Sequence, residues 1–181
     1  MKRIFTAILG ITLLSLASAA QNPSDKQDNM KDCPMHEQHQ ASVAGHTDQD
    51  MNRRGEQGMG FSQTKTTHHF FLSKDGGVIQ VTANAGDDKE SIEQIRRHFE
   101  HISHAFQSGD FNIPMFVHDQ TPPGVPAMIK LKDTIRYRYE QIESGARVLI
   151  SSDNAEAVDA VHQFLRFQIT EHKTGDALEV K

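Results

Sequence analysis

The feature that most constrains the fold is a pattern that occurs twice. "TTHHFFLSKDGGVIQVTANAGDDKESIEQIRRHFEHISHAFQSGD" and "TIRYRYEQIESGARVLISSDNAEAVDAVHQFLRFQITEHKTGD" share one layout. Each has an alternating run, a Gly turn, a second alternating run, an acidic helix start and a long amphipathic stretch ending in Gly-Asp. Repetition at this scale predicts two copies of one supersecondary unit, over about residues 66–110 and 134–176. In the first, His68, Phe70 and Leu72 alternate with His69 and Phe71, and Gly76-Gly77 turns the chain into Val78 to Ala83. In the second, Ile135, Tyr137 and Tyr139 alternate with Arg136, Arg138 and Glu140, and Gly145 precedes Val148 to Ile150.

The helical halves follow the same logic. Ile92, Ile95, Phe99, Ile102 and Phe106 recur at three- and four-residue steps, as do Val158, Val161, Leu165 and Ile169. Asp88 and Asp153 (or Asn154) are the expected N-caps, with Gly109 and Gly175 as stops. The expected fold is α+β, with duplicated β-β-α units forming one antiparallel sheet and two long helices packed on one face. The link "FNIPMFVHDQTPPGVPAMIKLKD" is read as an extended piece, a Pro-Pro-Gly loop and a short helix starting near Pro126. Phe164 and Phe167 lie off the second helix's core stripe, which points to an extra buried edge or, alternatively, to a dimer contact. On the free sheet face the alternation places Arg136 and Arg138, with Gln80 or Thr82 and one of His68 and His69. Such a polar face is a platform for a ligand or a periplasmic protein partner, or simply a solvated surface.

Before the repeats the composition changes. Lys2 and Arg3 precede an apolar run from Ile4 to Leu16 and then Ala17-Ser18-Ala19, which reads as a signal peptide over residues 1–19. The run, about 13 residues, is short of the roughly 20 that span a bilayer, so no membrane span is expected after cleavage. Residues 20–58 hold almost no aliphatic side chain beyond Val43 and read as a disordered arm; residues 59–181 read as a single domain. The expected location is periplasmic or secreted. Losing Lys2 and Arg3, and no acid, moves the formal charge from −5 to −7. An acidic chain lacks the basic face that nucleic acid requires, so no nucleic-acid partner is expected.

The arm and the histidines carry the chemistry. "DCPMHEQHQ" gathers Cys33, Met35, His36 and His39, with Met30, His46, Met51 and Met59 nearby. Thiolate, thioether and imidazole together favour copper, as Cu(I), or another soft ion. The single cysteine excludes an intrachain disulfide and does not complete a zinc-finger set. Of the eleven histidines, His98, His101 and His104 fall in one helix. They fan across roughly 120° of its surface, with about 9 Å of rise from first to last. His98 flanks the core stripe, and with His101 forms an i, i+3 pair able to share an ion. The alternative is an exposed polar helix face. His68 and His69 point to opposite sides of a strand, so at most one joins a given site. His118 follows Met115 in a loop, a further soft-ligand pair; His162 and His172 lie near the core edge and read as structural.

No His-Glu-x-x-His, Gly-x-Ser-x-Gly, phosphate loop or dinucleotide fingerprint is present. His118-Asp119 beside the Pro-Pro-Gly loop is the strongest polar candidate, and no catalytic residues are assigned. "CPMH" resembles the Cys-Pro-Met-His core of small heavy-metal-binding segments attached to copper-export proteins. It lacks the Tyr-Thr before and the Pro-Glu after that accompany it there. Residues 58–176, from "GMGFSQTKTTHHFFL" through "GDFNIPMFVHDQTPPGVPAMIKLKDTIRYRYE" to "FLRFQITEHKTGD", resemble a family of exported bacterial proteins of unknown function, some labelled aspartate carbamoyltransferase. This chain has no Ser-Thr-Arg-Thr phosphate loop, and its domain is too small for two Rossmann-like lobes. The expected function is an exported soluble metal-binding protein for copper or another soft ion, with Cys33, Met35, His36, His39, His98, His101 and His118 as ligands. The alternative is a non-enzymatic periplasmic interaction module using the sheet face or the Pro-Pro-Gly loop.

Overall fold

The computed structural model describes residues 47–180, so the expected signal segment and the arm's Cys33, Met35, His36 and His39 lie outside the described residues. In chain order the elements are α1 (Asp48–Met59), β1 (Thr66–Ser73), β2 (Gly76–Ala83), α2 (Lys89–Ser108), α3 (Asn112–His118), α4 (Val125–Lys130), a 3-10 turn (Lys132–Thr134), β3 (Ile135–Ile142), β4 (Gly145–Ser152) and α5 (Ala155–Glu171). The fold is α+β, with one four-stranded antiparallel sheet in the order β1-β2-β4-β3. Among the described residues, no helix is long and apolar enough to cross a membrane.

Alternation fixes which side of the sheet is covered. Phe70 and Leu72 of β1, Ile79 and Val81 of β2, Ile135 of β3, and Val148 and Ile150 of β4 point inward and are buried. They meet Ile92, Ile95, Phe99, Ile102 and Phe106 of α2 and Val161, Leu165 and Ile169 of α5 in one core. Helix α2 lies mainly over β3 and β4, and α5 over β1 and β2. Gly77 allows the close approach of α5: a Cβ there would stand 2.3 Å from Leu165 Cδ1 and from the Phe71 carbonyl oxygen.

The helix ends are set by local chemistry. The Asp88 side chain accepts from the Ser91 N–H, and Gly109 adopts φ +86° to end α2. At the second helix Asn154, not Asp153, is the cap, accepting from the Ala157 N–H. Helix α5 ends at Glu171, with His172 as its cap and Gly175 three residues further on, so Gly175 is not the stop. Arg96 of α2 holds the β3–β4 turn, its Nη2 donating to the Ile142 carbonyl at 2.9 Å.

Both edge strands are partly covered, which blunts their capacity to pair with another chain. The Gln107 side chain donates to the Ile135 carbonyl and accepts from the Tyr137 N–H at the β3 edge. At the β1 edge the Asp176 carboxylate accepts from the Phe70 N–H at 3.0 Å.

Two further expectations are corrected. Residues 48–58, read as part of a disordered arm, lie in the regular helix α1. Thr47 caps it by accepting from the Asp50 N–H, Gly60 closes it at φ +75°, and Gly58 packs close to Phe116, Val117 and Ile113. Asn112–His118, read as extended, is helical; Pro114 sits in the first turn, where its missing N–H breaks no intrahelical bond. Phe164, expected at an extra buried edge, is buried as expected, 1% exposed, where α5 packs against Phe106 and Phe111, whose rings meet its own edge-on.

Candidate functional site

Four histidines from four elements converge beside α1. His68 comes from the inward face of β1, His98 from α2, His118 from the last turn of α3, and His172 from the C-terminal cap of α5. The His68 and His172 rings stack with centroids 5.1 Å apart and 10° between planes. The His118 ring meets the His172 ring edge-on, also at 5.1 Å. Phe61 links the remaining member, stacking on His68 at 5.9 Å and meeting His98 edge-on at 5.6 Å.

Together these rings line a cavity of about 60 Å³ that is, apart from Gln168, otherwise apolar, with Met59, Phe70, Ile102 and Phe164 among its walls. Burial makes the imidazoles neutral. It lowers the pKa of His68 to about 4 and that of His98 to about 3, with neighbouring histidine charges adding to the effect. It lowers His172 well below the ordinary range, and lowers His118 against the opposing pull of Gln168 and Glu171. His68 and His172 are partly exposed as whole residues, but the His68 Nε2 is sealed from solvent.

Hydrogen bonding leaves two ring nitrogens unpartnered here. His118 Nε2 bonds the Gln168 Oε1 at 2.9 Å. An amide oxygen accepts, so Nε2 carries the proton and Nδ1 of the neutral ring presents its lone pair. That Nδ1 and the His68 Nε2 are buried with no hydrogen-bond partner. The nearest charge to His118 Nδ1 is Glu171 Oε2 at 3.9 Å, too far for a hydrogen bond. A smaller hollow of about 40 Å³ lies on that side, lined by Thr47, Asp48, Met51, Arg54, His118 and Glu171. His118 is a wall of both spaces.

The expected ligands are distributed unevenly. His98 is in the cluster, whereas His101, three residues on, is exposed on the outer face of α2. His118, placed in a loop by the sequence, is a helical residue only 3% exposed. His172, read as structural, is central to the cluster. His162 is a core-edge residue, its Nε2 bonding the Ser73 carbonyl at 2.8 Å. Among the described residues no group of three or more His, Cys, Asp or Glu already converges as metal ligands do.

Two other surfaces were expected to matter. On the outward sheet face, the register aligns Phe71, Val78, Leu149 and Arg138 in one row. His69, Gln80, Arg147 and Glu140 form the next. Glu140 pairs with both Arg138 and Arg147, and His69 Nδ1 contacts Asp176 at 3.1 Å, so most charge on this face is already satisfied. An open hollow of about 440 Å³ near the start of β3 is lined by Asp75, Asp133, Arg136 and Asp153 with hydroxyl and amide groups. None of the buried unpartnered atoms lies there. Comparison of the chain with known protein families, with curated proteins and with solved structures finds no match.

Proposed function

We propose that this chain is an exported metal-binding protein for copper, as Cu(I), or another soft ion, and that the histidine cavity is its binding site within the domain. The observation that carries the reading is the pair of buried, unpartnered ring nitrogens, His68 Nε2 and His118 Nδ1. An orphaned buried polar atom costs about 1–3 kcal/mol, and folded proteins keep few of them. A soft ion would satisfy these lone pairs. The rest of the wall suits the same ligand. Metal binding needs neutral imidazole, which burial already enforces here, and Met59 adds a thioether to the lining.

The stacked pair implies one movement. Stacked ring planes only 10° apart hold their lone pairs in two separate, nearly parallel planes. Binding of one ion by His68 and His172 together therefore requires one ring to turn about its Cβ–Cγ bond. His118, nearly perpendicular to His172, needs less adjustment. Cys33, Met35, His36 and His39 offer further donors for the same class of ion.

The test is an anaerobic Cu(I) titration against a competing chelator. It compares the exported protein with His68→Phe/His172→Phe, which keeps aromatic packing, and with Cys33→Ser/His36→Ala. A fall of at least tenfold in affinity in the first variant, for one of the bound ions, is expected. Unchanged affinity and stoichiometry in that variant would remove the cavity from the account.

A further inference from the structure

Two hollows meet at one histidine. The cavity holding His68, His98, His172 and Met59 is separated by the His118 ring from the smaller space beneath the first turn of α1. In that outer space most charged groups are engaged elsewhere. Asp48 pairs with Lys173, and the Arg54 Nε donates to the Val117 carbonyl at 2.8 Å. The groups that remain are the Met51 side chain, the Glu171 carboxylate and the buried Nδ1 of His118. Glu171 has no lysine or arginine partner among the described residues, and its side chain is 38% exposed.

Resting on the metal-binding reading above, we propose that the outer hollow is the entry site of the histidine cavity. Met51 and Glu171 receive a monovalent soft ion there, and His118 Nδ1 passes it inward. The chemistry grades in that order. Glu171 is the partly exposed member and attracts a cation; the thioether of Met51 is selective for a soft one; the His118 lone pair lies at the wall common to both spaces. Each step is a ligand exchange at constant oxidation state. No proton need leave, because the His118 nitrogen is already unprotonated.

Helix α1 has Gly55 as its one buried residue. It is tied to the rest of the domain by the Arg54–Val117 bond, the exposed Lys173–Asp48 pair and the close packing of Gly58 on α3. An outward shift of its first turn would break the Lys173–Asp48 pair and widen the hollow.

An entry site changes rates and leaves equilibrium alone. The experiment is stopped-flow loading and release of Ag(I), a redox-inert surrogate for Cu(I), in the full chain carrying Cys33→Ser/His36→Ala. That chain is compared with the same chain carrying Met51→Leu/Glu171→Gln, with circular dichroism confirming that both fold alike. Association and release are each expected to slow by about tenfold, with Kd preserved within about threefold. Unchanged rates would overturn the entry role, and faster release at unchanged association would make Met51 and Glu171 part of the resting site instead. If the parent chain binds no Ag(I), the metal-binding reading itself fails, and that outcome is visible before the variants are compared.

Discussion

The imidazole of His68, on the first strand, lies face to face with that of His172, at the end of the last described helix, with centroids 5.1 Å apart. The contact joins residues more than a hundred positions apart and brings His118 against the same ring. It also places together described histidines whose pKa values burial lowers. Below about pH 6.5 their neutrality is a property of the folded state alone, which makes it measurable.

Acid should therefore weaken the fold before any carboxylate titrates. An imidazole in the unfolded chain has a pKa of about 6.5, whereas burial lowers that of folded His68 to about 4 and His98 to about 3. Between those values the unfolded state binds more protons, so stability falls as pH falls. Each such histidine contributes up to about 1.4 kcal/mol per pH unit in that window. Urea midpoints measured from pH 7.5 to pH 4 should be level above about 6.5 and then drop with increasing steepness. A level curve down to pH 5 would mean that the rings are solvated.

The loop that supports the cavity's far wall depends on one glycine. Gly124 has φ +84°, and a Cβ on it would stand 2.0 Å from the Ala160 carbonyl oxygen of α5. Neither side of that contact is a flexible side chain. Gly124→Ala should cost at least about 2 kcal/mol, combining left-handed strain with displacement of α5. Equilibrium unfolding of the variant measures it. A cost below about 0.5 kcal/mol would show that the loop lifts away freely.

Phe164 and Phe167 are neighbours in sequence with different roles. Phe164, 1% exposed, fills the space against Phe106 and Phe111 and also lines the cavity. Phe164→Ala should cost about 3–5 kcal/mol. The Phe167 ring, half-buried, packs edge-on against His118 at 4.9 Å. Phe167→Ala should cost clearly less and shift the NMR signals of the His118 ring. Equal losses of stability in the two variants would contradict this division.

The strands and the two long helices were legible in the sequence because their side chains repeat with the period of the structure they form. Asp88 and Gly109 were legible for a similar reason: a cap needs only a local residue type. Helix α1 was not, since its face is nearly all polar and it gains its place from Gly58 packing on α3 and from Arg54 reaching Val117. Helix α3 was hidden by its length, seven residues, and by Pro114. The cavity was the least legible feature. His68, His98, His118 and His172 come from four separate elements, so no spacing along the chain announces them. The available hints were weaker: His98 at the margin of a core stripe, and His172 at the core edge of a helix. Pairing His98 with His101 followed the helical repeat, but the sheet and Phe61 draw only His98 inward.

The most direct test of the central claim is copper K-edge absorption spectroscopy on the Cu(I)-loaded Cys33→Ser/His36→Ala chain, in which the cavity is the remaining proposed site. The account predicts retained copper with the multiple-scattering signature of at least two imidazoles, lost in the further variant His68→Phe/His172→Phe. Copper that is absent, or coordinated without imidazole, would contradict it.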